Sequence, residues 1–244
     1  MIDELTGIIE QRLEQIKKRI SQAALSCGRS AGEISLVVVS KSQPAEVIEA
    51  AFSAGVRQFG ENYPEETLAK IPQLRNRAEI EWHMIGHLQS RKARIVIENF
   101  HKLHSLDSLS LAEKLDRLLA ESGKKLPCLL EFNVGGEASK YGWPAWDENQ
   151  WQILIPEISK VLGLAHLQIS GLMTMPPLSE EVEKSRQYFK KLCALQGFLS
   201  AAFPEAHFTE LSMGTSDDFE IAIEEGSTIV RVGRAILGTR PPKI

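Results

Sequence analysis

Lys41 is the first residue whose type and position could do chemistry, because it follows closely on the apolar run Leu36-Val37-Val38-Val39. A β-branched run of this kind is typical of a strand buried in a parallel sheet. A lysine where such a strand emerges is either solvated beyond the rim or held over a pocket, and Lys41 alone favours solvation because most lysines are surface residues. In a pocket, its neutral amine could form a Schiff base with an aldehyde.

The stretch from Leu211 to Ser216, Leu-Ser-Met-Gly-Thr-Ser, has the composition of a phosphate-binding turn. Its hydroxyl groups supply donors, and its glycine lets the backbone approach a ligand closely. Asp217 and Asp218 would cap the helix that follows. An ordinary capped turn explains the same residues, and both interpretations remain open at this point.

Arg231 is flanked by valines in a segment that should be a buried strand. A guanidinium in that position needs a specific acceptor, because an unpaired buried charge is costly. If Arg231 points into the mouth of a barrel, Gly233 lies at the rim, where its bare amide can face a phosphate. The alternative is an arginine that forms a salt bridge within the barrel.

Other patterns point away from metal and nucleophile chemistry. His83 and His87 are four residues apart, which on a strand separates their side chains, and no carboxylate completes a zinc pattern. We therefore expect no metal site. The segment Gly135-Gly136 is too short for a phosphate-binding P-loop, and the sequence contains no G-x-S-x-G nucleophile motif.

The elements that must position these residues alternate between strand and helix. The predicted strands are residues 34–40, 57–60, 81–86, 102–106, 127–134, 167–175, 210–213 and 228–232. Helical patterns lie between them, including residues 108–123, 146–161, 180–203 and 217–225. Eight such units predict an α/β fold, a parallel (β/α)8 TIM barrel whose site lies at the carboxyl ends of the strands. A doubly wound open sheet is the alternative, but no G-x-G-x-x-G follows the first strand.

An extra helix precedes the first strand, because apolar residues are spaced three or four apart from Leu5 to Ile20. We expect residues 1–28 to pack as this helix on the barrel, and residues 1–244 to form a single ligand-binding barrel domain. The 244 residues carry a net charge of -4 without a basic stripe, so we expect no nucleic acid partner. No apolar stretch is long enough to cross a membrane.

The cysteines indicate the cellular compartment. Cys27, Cys128 and Cys193 are far apart and odd in number, which fits a reducing cytosol better than a disulfide framework. The acidic N-terminus lacks the apolar region of a signal peptide. We therefore expect a cytoplasmic protein.

Several motifs, in chain order, give the sequence a specific resemblance. They are Val39-Ser40-Lys41, Phe59-Gly60-Glu61-Asn62-Tyr63, Trp82-His83-Met84-Ile85-Gly86, Ser139-Lys140, Gly171-Leu172-Met173, Leu211-Ser212-Met213-Gly214 and the run from Gly226 to Gly233. With these motifs the chain resembles the pyridoxal phosphate homeostasis protein family, from the first strand to the last.

The resemblance implies a barrel like the N-terminal domain of alanine racemase, which holds pyridoxal 5′-phosphate (PLP). It places the covalent aldimine of PLP on Lys41 and Arg231 at the pyridine nitrogen. The phosphate should be bound by the Ser212 hydroxyl and by amides near Gly233 and Arg234. Further cofactor-binding candidates are Ser227 and Thr228 for the phosphate, and Asn62 at a motif position near the cofactor.

A few positions depart from the pattern usual in that family. Arg234 stands where threonine is frequent, which leaves a backbone contact to phosphate but removes a hydroxyl contact. Thr215, Arg91 and Gly135 also differ from the frequent residues, methionine, asparagine and serine. None of these changes affects Lys41 or Arg231.

Two functions then compete: a PLP-binding protein that maintains vitamin B6 homeostasis without turnover, and a PLP-dependent amino-acid racemase. An arginine at the ring nitrogen disfavours ring protonation and weakens the electron sink. A racemase also needs an acid-base residue on each face of the substrate. In alanine racemase, one is a tyrosine from a domain that we expect to be absent here, and Tyr63, Tyr141 and Tyr188 do not match it. We therefore predict a non-catalytic monomer, with apo PLP enzymes or a regulatory protein as open partners.

Overall fold

The computed structural model describes residues 2–177 and 181–240. The strands are β1 (Ser35–Val39), β2 (Gln58–Glu61), β3 (Glu81–Met84), β4 (Lys102–Leu106), β5 (Leu126–Asn133), β6 (Trp143–Pro144), β7 (Leu167–Met173), β8 (Glu210–Ser212) and β9 (Ile229–Val232). The α-helices are α1 (Ile2–Ser26), α2 (Ala45–Ser53), α3 (Pro64–Lys70), α4 (Ala93–Asn99), α5 (Leu109–Ser122), α6 (Ile155–Leu162), α7 (Arg186–Ala202), α8 (Phe219–Glu224) and α9 (Arg234–Leu237).

The strands form a closed parallel barrel. They run in the order β4-β3-β2-β1-β9-β8-β7-β5, and pairing of β4 with β5 closes the ring. At the opposite seam β1 pairs with β9, with Leu36 beside Val230 and Val38 beside Val232. The short strand β6 pairs only at the end of β5. This architecture confirms the predicted (β/α)8 TIM barrel, and it brings the carboxyl ends of eight strands to one face.

Helix α1 covers the outside of the barrel at the β1–β9 seam. It contacts α2, α8 and α9 through one apolar face: Ile9, Leu13, Ile16, Ile20, Ala23 and Ala24. At the helix surface, the guanidinium of Arg19 donates to both carboxylate oxygens of Glu220, at 2.9 and 2.7 Å, and lies 4.7 Å from the ring centre of Phe219. The predicted extra helix is therefore present, and it joins the first and last units of the barrel.

Among the described glycines, Gly171 on β7 has the least room for a side chain. A Cβ atom built there would lie 1.9 Å from the carbonyl oxygen of Glu210 on β8, so only glycine fits. Inside the barrel, the ammonium of Lys102 on β4 reaches the Glu210 carboxylate at 2.6 Å, and the Ser170 hydroxyl donates to the same group. A polar layer thus closes the interior beneath the site.

Several predicted elements differ from those observed. Residues 148–154 form a 3-10 helix that leads into α6, where one continuous helix was expected over 146–161. The strands expected over 81–86 and 167–175 each end two residues early, at Met84 and Met173. Helix α7 begins at Arg186 after a 3-10 turn, while Glu180, the expected start, lies outside the described residues. No helix within the described ranges is long and apolar enough to cross a bilayer.

Candidate functional site

A cavity of about 370 Å³ lies at the carboxyl ends of the barrel strands. Its walls come from residues that end or directly follow a strand or fill the loops above: Val39, Lys41, Asn62, Ile85, Lys140, Met175, Pro176, Thr215, Ser216, Asp217, Arg231, Gly233, Arg234 and Arg240. The set is rich in lysine and arginine, with one carboxylate. We refer to this space as the Lys41 cavity.

Lys41 lies in a tight turn after β1. The next residue, Ser42, has a φ of 58°, a conformation that side-chain-bearing residues rarely adopt and that tends to occur at functional sites. Burial lowers the pKa of the Lys41 ammonium below its ordinary value. The nearby charges of Arg240 and Arg231 lower it further, whereas Glu61 opposes them. More of the amine is therefore neutral, and so nucleophilic, than in an exposed lysine.

A buried ion pair holds the backbone beneath Lys41. The ammonium of Lys70 on α3 contacts Glu61 Oε1 at 2.8 Å and donates to the Ser40 carbonyl at 3.2 Å. The Ser40 hydroxyl donates to the same glutamate oxygen at 2.8 Å. The Glu61 side chain is fully buried, and desolvation raises its pKa while Lys70 opposes the shift. We refer to Ser40, Glu61 and Lys70 as the clamp.

Arg231 crosses the floor of the cavity with neutral partners only. Its guanidinium donates to the Ser212 hydroxyl at 2.5 Å, and to the Thr174 carbonyl and Met175 sulfur at 2.9 Å each. The residue is 3% exposed, and desolvation lowers its pKa to about 10. Among the described residues no carboxylate is within salt-bridge distance of it, so its charge is available to whatever occupies the cavity.

Below Arg231, two buried histidines continue the hydrogen-bonded chain. His104 Nδ1 is 2.9 Å from Ser212 Oγ, and His104 Nε2 is 2.9 Å from His83 Nδ1. Desolvation lowers the pKa of His83 to about 3 and that of His104 well below its ordinary value, so both rings are neutral. Ser212 accepts from Arg231, which leaves its own proton for His104. This chain of hydrogen bonds holds the guanidinium of Arg231 in place without neutralising its charge.

The loops after β8 and β9 meet at the wall next to β1. The Gly233 amide donates to the Ser216 hydroxyl at 3.2 Å, and Arg234 pairs with Asp217 at 2.9 Å. A Cβ atom at Gly233 would lie 3.0 Å from the Val39 carbonyl oxygen, so glycine allows this loop to lie against β1. Thr215 is held by Asp218, which accepts from its amide and its hydroxyl.

The structure brings together five of the eight predicted cofactor-binding residues: Lys41, Asn62, Arg231, Gly233 and Arg234. Ser212 lies beneath Arg231, fully buried, and does not line the cavity. Ser227 and Thr228 precede β9 and so lie at the other end of that strand. Ser227 donates to the Met213 carbonyl at 2.9 Å, and Thr228 Oγ1 accepts from the Leu211 amide at 2.8 Å.

The cavity also contains residues that the sequence predictions did not name as ligand contacts. Thr215 and Ser216 belong to the hydroxyl-rich turn noted in the sequence, but only Ser212 was selected from it. Ile85 belongs to one of the motifs that carry the resemblance but was not assigned a contact, and Met175 and Arg240 belong to no motif. His83 and His87, considered as metal ligands, have separate partners: His83 contacts His104, and His87 contacts Asp107 at 2.8 Å. In residues 2–177 and 181–240 no cluster is placed to hold a metal ion.

Comparison with known proteins identifies the family of this chain. The family model described as alanine racemase, N-terminal domain, matches residues 11–241. A pyridoxal phosphate homeostasis protein of Vibrio alginolyticus is 38% identical over 236 residues, covering 95% of this chain and 97% of the relative. One of Escherichia coli is 37% identical over 234 residues, covering 95% and 97%. The chain belongs to the pyridoxal phosphate homeostasis protein family.

Solved structures extend the comparison. PipY of Synechococcus elongatus is 34% identical, and its structure with PLP bound has a TM-score of 0.81, covering 94% of this chain and 100% of PipY. The structure of PipY without PLP has a TM-score of 0.84. Alanine racemase of Clostridium difficile is 18% identical with a TM-score of 0.67, covering 97% of this chain and 58% of the racemase. The racemase likeness shows the shared barrel fold.

Proposed function

We propose that this protein binds PLP through a Schiff base on Lys41 and serves intracellular vitamin B6 homeostasis without catalysing a reaction of its own. One observation carries the proposal: a desolvated lysine shares a cavity with an arginine that has no carboxylate partner among the described residues. The amine suits an aldehyde, and the surrounding positive charge suits a phosphate.

The residues present fit PLP. A cavity of about 370 Å³ is within the range usual for small-molecule sites. Lys41 would hold the aldehyde carbon, and Arg231 would face the ring nitrogen. The Gly233 amide, the Ser216 hydroxyl and the Arg234 backbone would bind the phosphate. Asn62 Oδ1 is buried without a hydrogen-bond partner among the described residues, which suits contact with a ligand.

The phosphate role expected for Ser212, Ser227 and Thr228 takes a different form in this proposal. Ser212 acts indirectly, by fixing the guanidinium of Arg231 from below. Ser227 and Thr228 tie the start of β9 to β8 through main-chain contacts. These three hydroxyls would therefore affect PLP binding through the position of β9.

The absence of turnover follows from the charge and composition of the site. When bound, PLP supplies an electron sink that is strongest with a protonated ring nitrogen, and a cationic arginine opposes that protonation. The described residues that line the cavity include no histidine, tyrosine or cysteine. The alternative, a PLP-dependent racemase, would need a second proton carrier, and Lys140 at the cavity wall is the residue that could serve.

The relatives support the proposal through what is known of them. Curated relatives are named for PLP homeostasis, and PipY has been solved with PLP bound. By extension, PLP is the ligand proposed for this chain, in a monomer of the cytoplasm. The proposed partners are apo PLP enzymes, which would receive PLP from this protein, or a regulatory protein, which would respond to its PLP-bound state.

The test is visible absorbance of the purified protein loaded with PLP, before and after borohydride reduction. Wild type should be yellow, and reduction should fix the cofactor covalently to the peptide that contains Lys41. Lys41→Ala should lose the band, whereas the exposed control Lys124→Ala should keep it. A colourless wild type in excess PLP, or label fixed on another lysine, would refute the Lys41 site. Chiral chromatography of amino acids incubated with the loaded protein then separates binding from racemisation.

A further inference from the structure

A second cavity, of about 460 Å³, adjoins the Lys41 cavity. The two spaces share Asn62, Ile85, Lys140 and Met175 as a common wall. Beyond that wall, the second cavity is lined by Glu131 and by Tyr141, whose ring stacks on His87 at 3.6 Å between centres. Of the residues proposed to contact PLP, only Asn62 lines this second space. We refer to it as the Glu131 cavity.

Glu131 is a buried carboxyl group that is not satisfied by the protein. It lies near the end of β5, opposite Met173, and is 7% exposed. Its Oε2 atom has no hydrogen-bond partner among the described residues. Burial and the charge of Asp107 raise its pKa to about 7, against the opposing effect of Arg231 and Lys140. Such an atom at the wall of a cavity points to a ligand with a hydrogen-bond donor.

A second acceptor lies on the shared wall. Asn62 Oδ1 is also buried and unpartnered among the described residues. Two unsatisfied oxygens at one cavity favour a group with several donors, such as an ammonium. A neutral hydroxyl would satisfy at most one of them as a donor. A nitrogen with two or more N–H groups satisfies both oxygens, and a cationic one is also attracted by the Glu131 carboxylate.

The basic side chains of the Glu131 cavity are mostly paired. Lys92 contacts Glu65 at 2.6 Å, and His87 contacts Asp107 at 2.8 Å. Lys140, by contrast, makes no side-chain hydrogen bond or ion pair with the described residues. In this cavity Lys140 could therefore bind an anionic group and Glu131 a cationic group, so the charges of the cavity complement a zwitterion.

We propose that the Glu131 cavity is a binding subsite for a small zwitterion of the α-amino acid class. The ligand's ammonium contacts Glu131 and Asn62, and its carboxylate contacts Lys140. This inference rests on the proposed function only in that the subsite opens onto the Lys41 cavity. The two cavities share a wall, so an occupant of one can contact the same side chains as an occupant of the other, and any coupling between them acts by the same factor in both directions. Amino-acid supply would thereby regulate how firmly the cofactor is held.

The experiment measures binding of L-alanine to the PLP-free protein by isothermal titration calorimetry at about pH 8, where a group of pKa about 7 is ionised. Propionate and ethylamine, which each carry one of the two charges, serve as comparison probes. Glu131→Gln keeps the shape and removes the charge, and should weaken L-alanine binding at least tenfold. Glu205→Gln, an exposed glutamate at the other end of the barrel, should leave it unchanged.

A change of pH adds a readout that loss of structure would not mimic. Lowering the pH to about 6 should weaken L-alanine binding to wild type, because Glu131 takes up a proton, and should weaken it much less in Glu131→Gln, which lacks this proton-binding group. Lys140→Met should weaken the binding of propionate and L-alanine but leave the binding of ethylamine unchanged. The proposal is overturned if L-alanine does not bind, if propionate binds as well, or if Glu131→Gln binds like wild type. PLP absorbance of the same proteins is read separately, so the Lys41 site can survive that result.

Discussion

Replacing Lys70 by methionine tests whether the clamp is a true buried ion pair. Methionine keeps most of the buried stem and removes the ammonium that contacts Glu61 and the Ser40 carbonyl. The Glu61 side chain is fully buried, so its carboxylate is left without its cation. Removing one partner of a buried pair costs about 3 to 5 kcal/mol of unfolding free energy. We expect Lys70→Met to fall in that range.

The measurement is urea unfolding followed by circular dichroism, with two further variants. Lys18→Met breaks the exposed pair with Glu14, in which both side chains are more than 60% accessible, and should cost at most about 1 kcal/mol. The double variant Lys70→Met with Glu61→Gln removes the stranded charge and should recover part of the loss.

The unfolding free energy of Lys70→Met should also depend on pH in a defined direction. Burial raises the pKa of Glu61 and Lys70 opposes the shift, so the pKa rises further in Lys70→Met. A raised carboxyl pKa lowers stability as the pH increases from the unfolded pKa to the folded one. The loss in Lys70→Met should therefore be largest in alkaline solution and shrink on acidification. If Lys70→Met unfolds like wild type in alkaline solution, the clamp does not stabilise the turn as argued.

Three further predictions follow from the fold. Gly171→Ala should destabilise by more than about 4 kcal/mol or abolish folding, because its Cβ would meet the Glu210 carbonyl at 1.9 Å; expression and thermal melting check it. Arg19→Ala should lower the unfolding free energy by at most about 1 kcal/mol despite two hydrogen bonds to Glu220, because both side chains are 41% accessible. A loss of more than about 2 kcal/mol in urea unfolding would contradict this expectation. The unfolding free energy should fall as the pH drops below about 6.5, the ordinary histidine pKa, because His83 stays neutral in the folded protein but takes up a proton in the unfolded one. In His83→Gln, the unfolding free energy should depend less steeply on pH in this range.

Much of the barrel was predictable because its signals are local. The run before Lys41 predicted a strand over 34–40, and β1 spans Ser35–Val39. Ser108 and Gly123 predicted the limits of α5, and the structure has Ser108 as the N-cap and Gly123 at φ 64° after the last turn. Apolar periodicity and caps are properties of a few neighbouring residues, so a single sequence displays them.

The site was less predictable because it depends on which end of a strand a residue occupies. Ser227 and Thr228 belong to the same motif as Arg231, yet they lie at the start of β9, whereas Gly233 follows its end. The Ser212 hydroxyl is directed beneath Arg231 by a contact between two strands that no local pattern encodes. In the sequence, Glu131 is a single charged residue among the apolar residues of strand β5. Its Oε2 atom is found to lack a hydrogen-bond partner among the described residues only when the barrel is assembled.

The position of α1 has a consequence for how the chain folds. Helix α1 is synthesised well before α8 and α9, with which it packs in the folded chain. The β1–β9 pairing that it covers is likewise a contact between distant parts of the chain. Contacts of such long sequence separation slow folding, because their loop-closure entropy is lost before they form. Helix α2 can cover part of the apolar face of α1 early, but the part that packs on α8 and α9 stays exposed until those helices have been synthesised. That part is therefore prone to aggregation during translation.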